Sequence, residues 1–396
     1  MINSLFVSDV LERLRKVLPS GDGLYALHAP HFSGNEWRYV KECLDTGWVS
    51  SAGSFVNRLE QELASYTGIK HAVAVVNGSA ALHAALLLSG VEAGDEVLIP
   101  SLTFIATANA VSYCGAVPHL ADSSEHTLGL DPVKLEQYLK ETADLRGGFC
   151  YNRNTGKRIK AIVPMHTLGH PVDLEPLAEI CAHYRLEMIE DAAESLGSLY
   201  KGRHTGSWGS LAAISLNGNK IITAGGGGAI LTNNEKLARQ ARHITTTAKL
   251  PHRWKFVHDQ TGYNYRLPNL NAALAVAQLE QLPEMLNRKR ALASAYEEAF
   301  RQAKGIRFFH EPSFASSNYW LNALLLDESH AIHLEALLEQ TNQTDIMTRP
   351  LWTPLHQLPM LEHCPRMDLS TAESLARRII NIPSSAFLLE PDGREA

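Results

Sequence analysis

Paired cysteines are missing from this 396-residue chain. Its five cysteines (Cys43, Cys114, Cys150, Cys181 and Cys364) are odd in number, and no two stand in C-x-x-C spacing. That excludes a zinc ribbon and a dithiol redox motif, and it fits a reducing compartment. Cys114 and Cys181 lie in apolar patterns and are expected to be buried thiols. Charge of one sign is also scarce. A net charge of −6 with 20% charged residues argues against nucleic acid or an acidic membrane as the main partner. Long apolar runs are absent. The most apolar stretch, 72–88, contains Asn77, His83 and a glycine turn, so no segment is expected to span a bilayer. Gly225 to Gly228 lack the G-x-x-x-x-G-K-[ST] spacing of a nucleotide P-loop and read as backbone freedom for a tight turn. His166 and His170 have i, i+4 spacing, but Gly169 and Pro171 oppose a helix there. No third ligand is evident, so no metal site is expected.

What is present is strand–helix alternation. Val7, Val10, Leu11, Leu14, Val17 and Leu18 recur at helical spacing, with charges between them. They predict an amphipathic helix over 1–24 that packs on its own protein, not a signal peptide, and the chain is expected in the cytoplasm. Strands are predicted at 72–76, 96–99, 117–121, 161–164, 187–190, 212–216 and 229–231. Leu59, Leu63 and Tyr66 mark a helix stopped at Gly68. Asp131, followed by Pro132, and Asp173 look like N-caps of the next helices. This alternation predicts an α/β fold with a mostly parallel sheet covered on both faces. Residues 144–160 read as a polar hairpin insertion. Past Pro283 the texture changes to a charged helix (284–302), strands near 307–309 and 319–326, and helices near 332–340 and 371–380. A large domain over 25–282 and a smaller α+β domain over 283–396 are predicted.

The chemistry concentrates in a few turns. Ser215-Leu216-Asn217-Gly218-Asn219-Lys220 sets one lysine on a polar turn at the mouth of a buried strand, ahead of the four glycines. Such a lysine can form an imine with an aldehyde and then act as the base that moves a proton; the plain alternative is a solvated surface lysine. An apolar strand carries Asp191 to its end, where it can meet a heterocyclic nitrogen and keep it protonated, or else serve as an N-cap. Asn77-Gly78-Ser79-Ala80 joins a strand to a helix, whose free N–H groups suit a phosphate, although an ordinary capped helix starts the same way. Phe104 can lie on an aromatic ring or pack in the core. Together these point to a pyridoxal-phosphate enzyme.

These segments, with Glu190 to Gly197 and Gly262-Tyr263-Asn264-Tyr265-Arg266, resemble the DegT/StrS-type sugar aminotransferases over roughly residues 25–385. The resemblance implies the pyridoxal-phosphate transferase fold of type I, like aspartate aminotransferase. It implies that Lys220 is the Schiff-base lysine and Asp191 the partner of the pyridine nitrogen, with Phe104 stacked on the cofactor ring. Ser79, Ala80 and Ser215 match the phosphate cradle. Glu194 falls near the cofactor's phenolic oxygen, where a carboxylate is awkward and is expected to be protonated or turned toward substrate. Asn264 matches a residue that reaches the cofactor of a neighbouring subunit, which implies a homodimer with shared sites. The glutamate usual after the lysine is replaced in the run Gly225-Gly226-Gly227-Gly228.

Finer features look like the legionaminic-acid and bacillosamine-type branch. They are Met165-His166-Thr167-Leu168-Gly169-His170-Pro171, the insertion around 148–157, and Thr348-Arg349-Pro350-Leu351-Trp352. That branch implies amination at C4 of a UDP-4-keto-6-deoxy-N-acetylhexosamine, with glutamate as donor, in surface-sugar biosynthesis. Arg349 is then expected to clamp a diphosphate or the donor carboxylate, or to form a surface ion pair. Trp352, His356 and Tyr319 are expected to line the sugar-nucleotide cleft. A dTDP- or GDP-linked keto-hexose is the alternative acceptor. A dehydratase of the same fold carries histidine in place of Lys220, and a non-catalytic sensor would lack the lysine.

Overall fold

The structure, a computed structural model, describes residues 2–20 and 23–389. Met1, residues 21–22 and residues 390–396, which belong to the expected N-terminal and C-terminal segments, lie outside the described residues.

The main sheet runs in the order His71–Val75, Gly228–Thr232, Leu211–Ser215, Glu187–Asp191, Arg158–Ile162, Glu96–Pro100, Val117–Ala121. Only Gly228–Thr232 runs against both of its neighbours; the remaining pairs along this path are parallel. The central strands Glu96–Pro100 and Leu211–Ser215 are buried along their whole length. This is why 97–99 and 211–214 read as unbroken apolar runs instead of alternating ones. Helices Gly78–Leu88 and Asn269–Phe300 pack on different faces of this sheet, each within its own apolar cluster. The insertion is the expected hairpin: Ala143–Arg146 pairs antiparallel with Phe149–Asn152. Gly147 and Gly148 turn it with φ of 58° and 88°, values a two-residue turn requires.

Two caps differ in use. The Asp131 carboxylate accepts from Val133 N and Lys134 N, as expected. Asp173 stands at the start of its helix without capping it, because its carboxylate accepts the Tyr200 hydroxyl instead.

The boundary expected after Pro283 falls inside one continuous helix, Asn269–Phe300. Proline removes one backbone hydrogen bond, but packing holds both sides of it. Ala272 to Met285 lie in the core beneath the main sheet, whereas Leu292, Ala293, Tyr296 and Phe300 lie in a second core. The N-terminal helix Ile2–Val17 enters that second core through Val7, Val10 and Leu14. A four-stranded antiparallel sheet completes it: Ile306–Phe308, Asn322–Leu326, Ile379–Ile382 and Arg349–Pro350. The helix expected to reach residue 380 ends at Ala376, and Ile379–Ile382 is a strand buried throughout.

Candidate active site

Ligands of open α/β sheets bind beyond the carboxyl ends of the strands. Here the turns after His71–Val75, Glu96–Pro100, Glu187–Asp191 and Leu211–Ser215 meet around a cavity of about 420 Å³. Asn77, Ser79, Phe104, Asp191, Glu194, Ser215 and Lys220 all reach it.

Lys220 is one turn beyond its strand, and its side chain is 13% exposed. Nζ lies 3.2 Å from Glu194 Oε1 and 3.9 Å from the centre of the Trp320 ring. A cation over an indole contributes about 0.5–2 kcal/mol, more as water is excluded. The alternative of a solvated lysine is therefore not what the fold builds. Glu194 turns neither to solvent nor away from the lysine. Its second oxygen accepts from Leu168 N at 2.9 Å, and burial holds its carboxyl above the usual range against the pull of Lys220.

Asp191 ends its strand as expected. Burial raises its carboxyl from the ordinary value, opposed by the Thr107 hydroxyl, the Ala193 amide and the charge of Lys220. Thr107 Oγ1 donates to Oδ2 at 2.7 Å and Ala193 N to Oδ1 at 3.2 Å. A buried carboxyl pushed up by desolvation is matched to a cationic partner, because that partner would restore its charge. Thr107→Val removes one stabilising donor and pushes the carboxyl up further. The acid limb of a pH–activity profile is therefore expected to move to higher pH, with a roughly tenfold loss at its acid end.

The expected phosphate cradle is built by close approach. Asn77 caps the helix Gly78–Leu88, its side chain accepting from Ala80 N at 2.8 Å. Ala80 is thereby committed to the cap and buried, while Gly78 and Ser79 begin the helix at the cavity wall, where first-turn N–H groups serve an anion. A Cβ at Gly78 would sit 2.9 Å from Ser215 Cβ; glycine is what lets Ser215 share the cradle. Gly78→Ala is expected to weaken cofactor retention about tenfold or more, as measured by titration of the cofactor-free protein. Phe104 is 50% exposed, so core packing does not explain it. Its ring stands 6.4 Å from that of Trp352, which also lines the cavity. Cradle, acid, lysine and flanking ring thus fit a phosphorylated pyridine aldehyde.

Four expected residues lie elsewhere. Tyr319 is buried in the second core against Phe308; its φ of 45° turns the chain so that Trp320, not Tyr319, faces the cavity. His356 bridges Ser101 Oγ (2.8 Å) and Glu373 Oε1 (3.0 Å) beneath the Phe104 loop. Arg349 is exposed on an edge strand, held by Asn342 Oδ1 at 3.0 Å. Asn264 is exposed, near Arg266, outside this cavity. Among residues the sequence reading missed, Thr107 had a weak signal: it follows Phe104 in the first turn of its helix. Trp320 had none beyond its neighbour, since a one-residue phase error along a predicted strand swaps the faces.

Residues 30–392 match the DegT/DnrJ/EryC1/StrS aminotransferase family. The chain belongs to this family. It is similar to GDP-perosamine synthase of Caulobacter vibrioides, at 38% identity over 92% of this chain and 94% of that one. It is also similar to EpsN of Bacillus subtilis, named for a pyridoxal phosphate-dependent aminotransferase, at 36% identity over 92% of each chain. A family aminotransferase from Brucella abortus superposes with a TM-score of 0.80 at 25% identity, covering 91% of this chain and 92% of that one. The chain is a pyridoxal-phosphate-dependent sugar aminotransferase of fold type I.

Proposed function

We propose that this aminotransferase converts the keto carbon of a UDP-4-keto-6-deoxy-N-acetylhexosamine to an amine, with glutamate as donor, in the cytoplasm and for surface-sugar biosynthesis. The observation that carries the chemistry is the convergence of the Lys220 amine and the buried Asp191 carboxyl on one cavity beside an anion cradle. When bound, pyridoxal 5'-phosphate supplies an electron sink for the carbon that loses its proton. Asp191 holds the charge opposite the ring nitrogen. Gly78, Ser79 and Ser215 fix the phosphate. Lys220 takes up and returns the proton, and Glu194 holds the lysine amine within the cavity. Phe104 and Trp352 exclude water from the open side. Asn264, exposed outside its own cavity, serves the site of a second copy in a homodimer. We read the chain as a large and a small domain sharing the helix Asn269–Phe300.

The choice of a UDP-linked acceptor rests on the segments 165–171, 148–157 and 348–352. A GDP-linked keto-hexose is the second reading, favoured by the relatives named GDP-perosamine synthase. Purified protein assayed with UDP-, GDP- and dTDP-linked keto sugars, with the product identified by NMR, separates them. Turnover at least about tenfold faster with the GDP sugar would reject the UDP reading.

A further inference from the structure

We propose that Trp320 is a positioning residue for the reactive lysine: its indole face and the Glu194 carboxylate grip the Lys220 amine from two sides and keep it in the cavity whenever it is not otherwise bonded. The inference rests on Lys220 being the reactive amine. A free lysine on a four-carbon stem has many rotamers, and nothing covalent holds it once a substrate amine has displaced it. An amine that must return to the same carbon gains from a fixed resting place.

The geometry is over-determined for a residue that merely fills a core. Trp320 is fixed by three hydrogen bonds. Its amide donates to Asn318 Oδ1 at 2.8 Å. Its carbonyl accepts from the fully buried Lys289 at 3.1 Å. Its indole Nε1 donates to Asn219 O at 2.7 Å, so the ring is tied to the turn that carries the lysine itself. The residue before it, Tyr319, holds a left-handed φ of 45°, a conformation aromatic residues rarely adopt. Asn318 fixes both halves of the grip. Its side-chain amide also donates to the Glu194 carbonyl at 2.8 Å. Space for it depends on Gly169, where a Cβ would stand 1.9 Å from Asn318 Oδ1. One buried amide therefore ties together the two residues whose carboxylate and indole meet Nζ.

The test uses the cofactor-free full-length protein and trace acetic anhydride, with acetylation of each lysine quantified by mass spectrometry. Acylation needs a free amine, so an amine held against a ring face and a carboxylate is withheld from the reagent. Labelling at Lys220 is read against Lys41, whose side chain is 58% exposed. Trp320→Leu is expected to raise Lys220 labelling about fivefold. Trp320→Phe opens space but keeps a ring face, and is expected to stay within about twofold of the parent. Should leucine prevent folding, Trp320→Met makes the same comparison. In the loaded enzyme, Trp320→Leu is expected to lower kcat about tenfold with the acceptor KM changed less than about threefold. Equal rises in the leucine and phenylalanine variants, as simple opening of the cavity would give, overturn the proposal. So does labelling that changes in neither. The labelling needs neither cofactor nor sugar, so its failure is distinct from failure of the proposed substrate.

Discussion

Lys220→Ala is expected to lower amino transfer at least about a thousandfold while the protein still folds and still takes up the cofactor. Two functions would be lost together, since in the proposed role the same amine both bonds the aldehyde and carries the proton. Folding should survive because, among the described residues, Nζ has Glu194 as its hydrogen-bond partner and the Trp320 face as its ring contact, and the turn itself is held by backbone bonds such as Lys220 N to Asn217 O. Glu194 is left buried without the cation that opposes its rise, so its already raised carboxyl is pushed up further. The check is a single-turnover assay with glutamate, together with borohydride reduction and peptide mapping. In the parent protein the trapped cofactor should be found on residue 220; in the variant it should be found on no lysine. Turnover within tenfold of the parent would remove Lys220 from the chemistry.

The strands and the chemistry at their ends were legible for one physical reason. A strand buried on both faces is mostly apolar, and the turn after it is polar and small. His71–Val75 into Asn77-Gly78-Ser79 and Leu211–Ser215 into Asn217 to Lys220 show the contrast within a few residues. Asp191 stood out because a charge at the end of an apolar run needs a reason. The hairpin at 144–160 was legible from its two adjacent glycines.

What was not legible depends on contacts between segments far apart in sequence. Whether Pro283 breaks a helix is decided by the cores on either side of it, not by the proline. Asp173 reads as a cap, but a tyrosine 27 residues on claims its carboxylate. His356 and Arg349 are residue types that suit a nucleotide, yet a serine, a glutamate and an asparagine hold them outside the cavity. Tyr319 and Trp320 differ by one position, and a backbone angle that no propensity foretells decides which of them faces Lys220. Chemistry carried by single residues at strand ends is local; the shape of the cleft that selects a sugar is not.

Asp191→Asn is expected to lower turnover about a hundredfold or more and yet to raise the melting midpoint of the cofactor-free protein by about 1–3 °C. The first effect follows from charge. An amide has nearly the shape of the carboxylate and can keep the contacts to Thr107 and Ala193, but it cannot hold a ring nitrogen protonated. The second follows from linkage. Burial places the folded-state value for Asp191 above the ordinary carboxylate value, so the folded protein binds this proton more tightly than the unfolded chain. Stability therefore falls as pH rises from the ordinary carboxylate range through the raised value, and the full cost of the buried charge is present above it. Glu194 has the same sign, so the variant removes part of the slope and not all of it. Melting curves of the cofactor-free parent and variant across this pH window should diverge as pH rises and converge at the acid end. Cofactor should stabilise the parent more than the variant, because only the parent gains a charge pair on binding. A variant that loses activity and melts lower at every pH would mean that Asp191 holds the fold and that its carboxylate is not kept for a cationic partner.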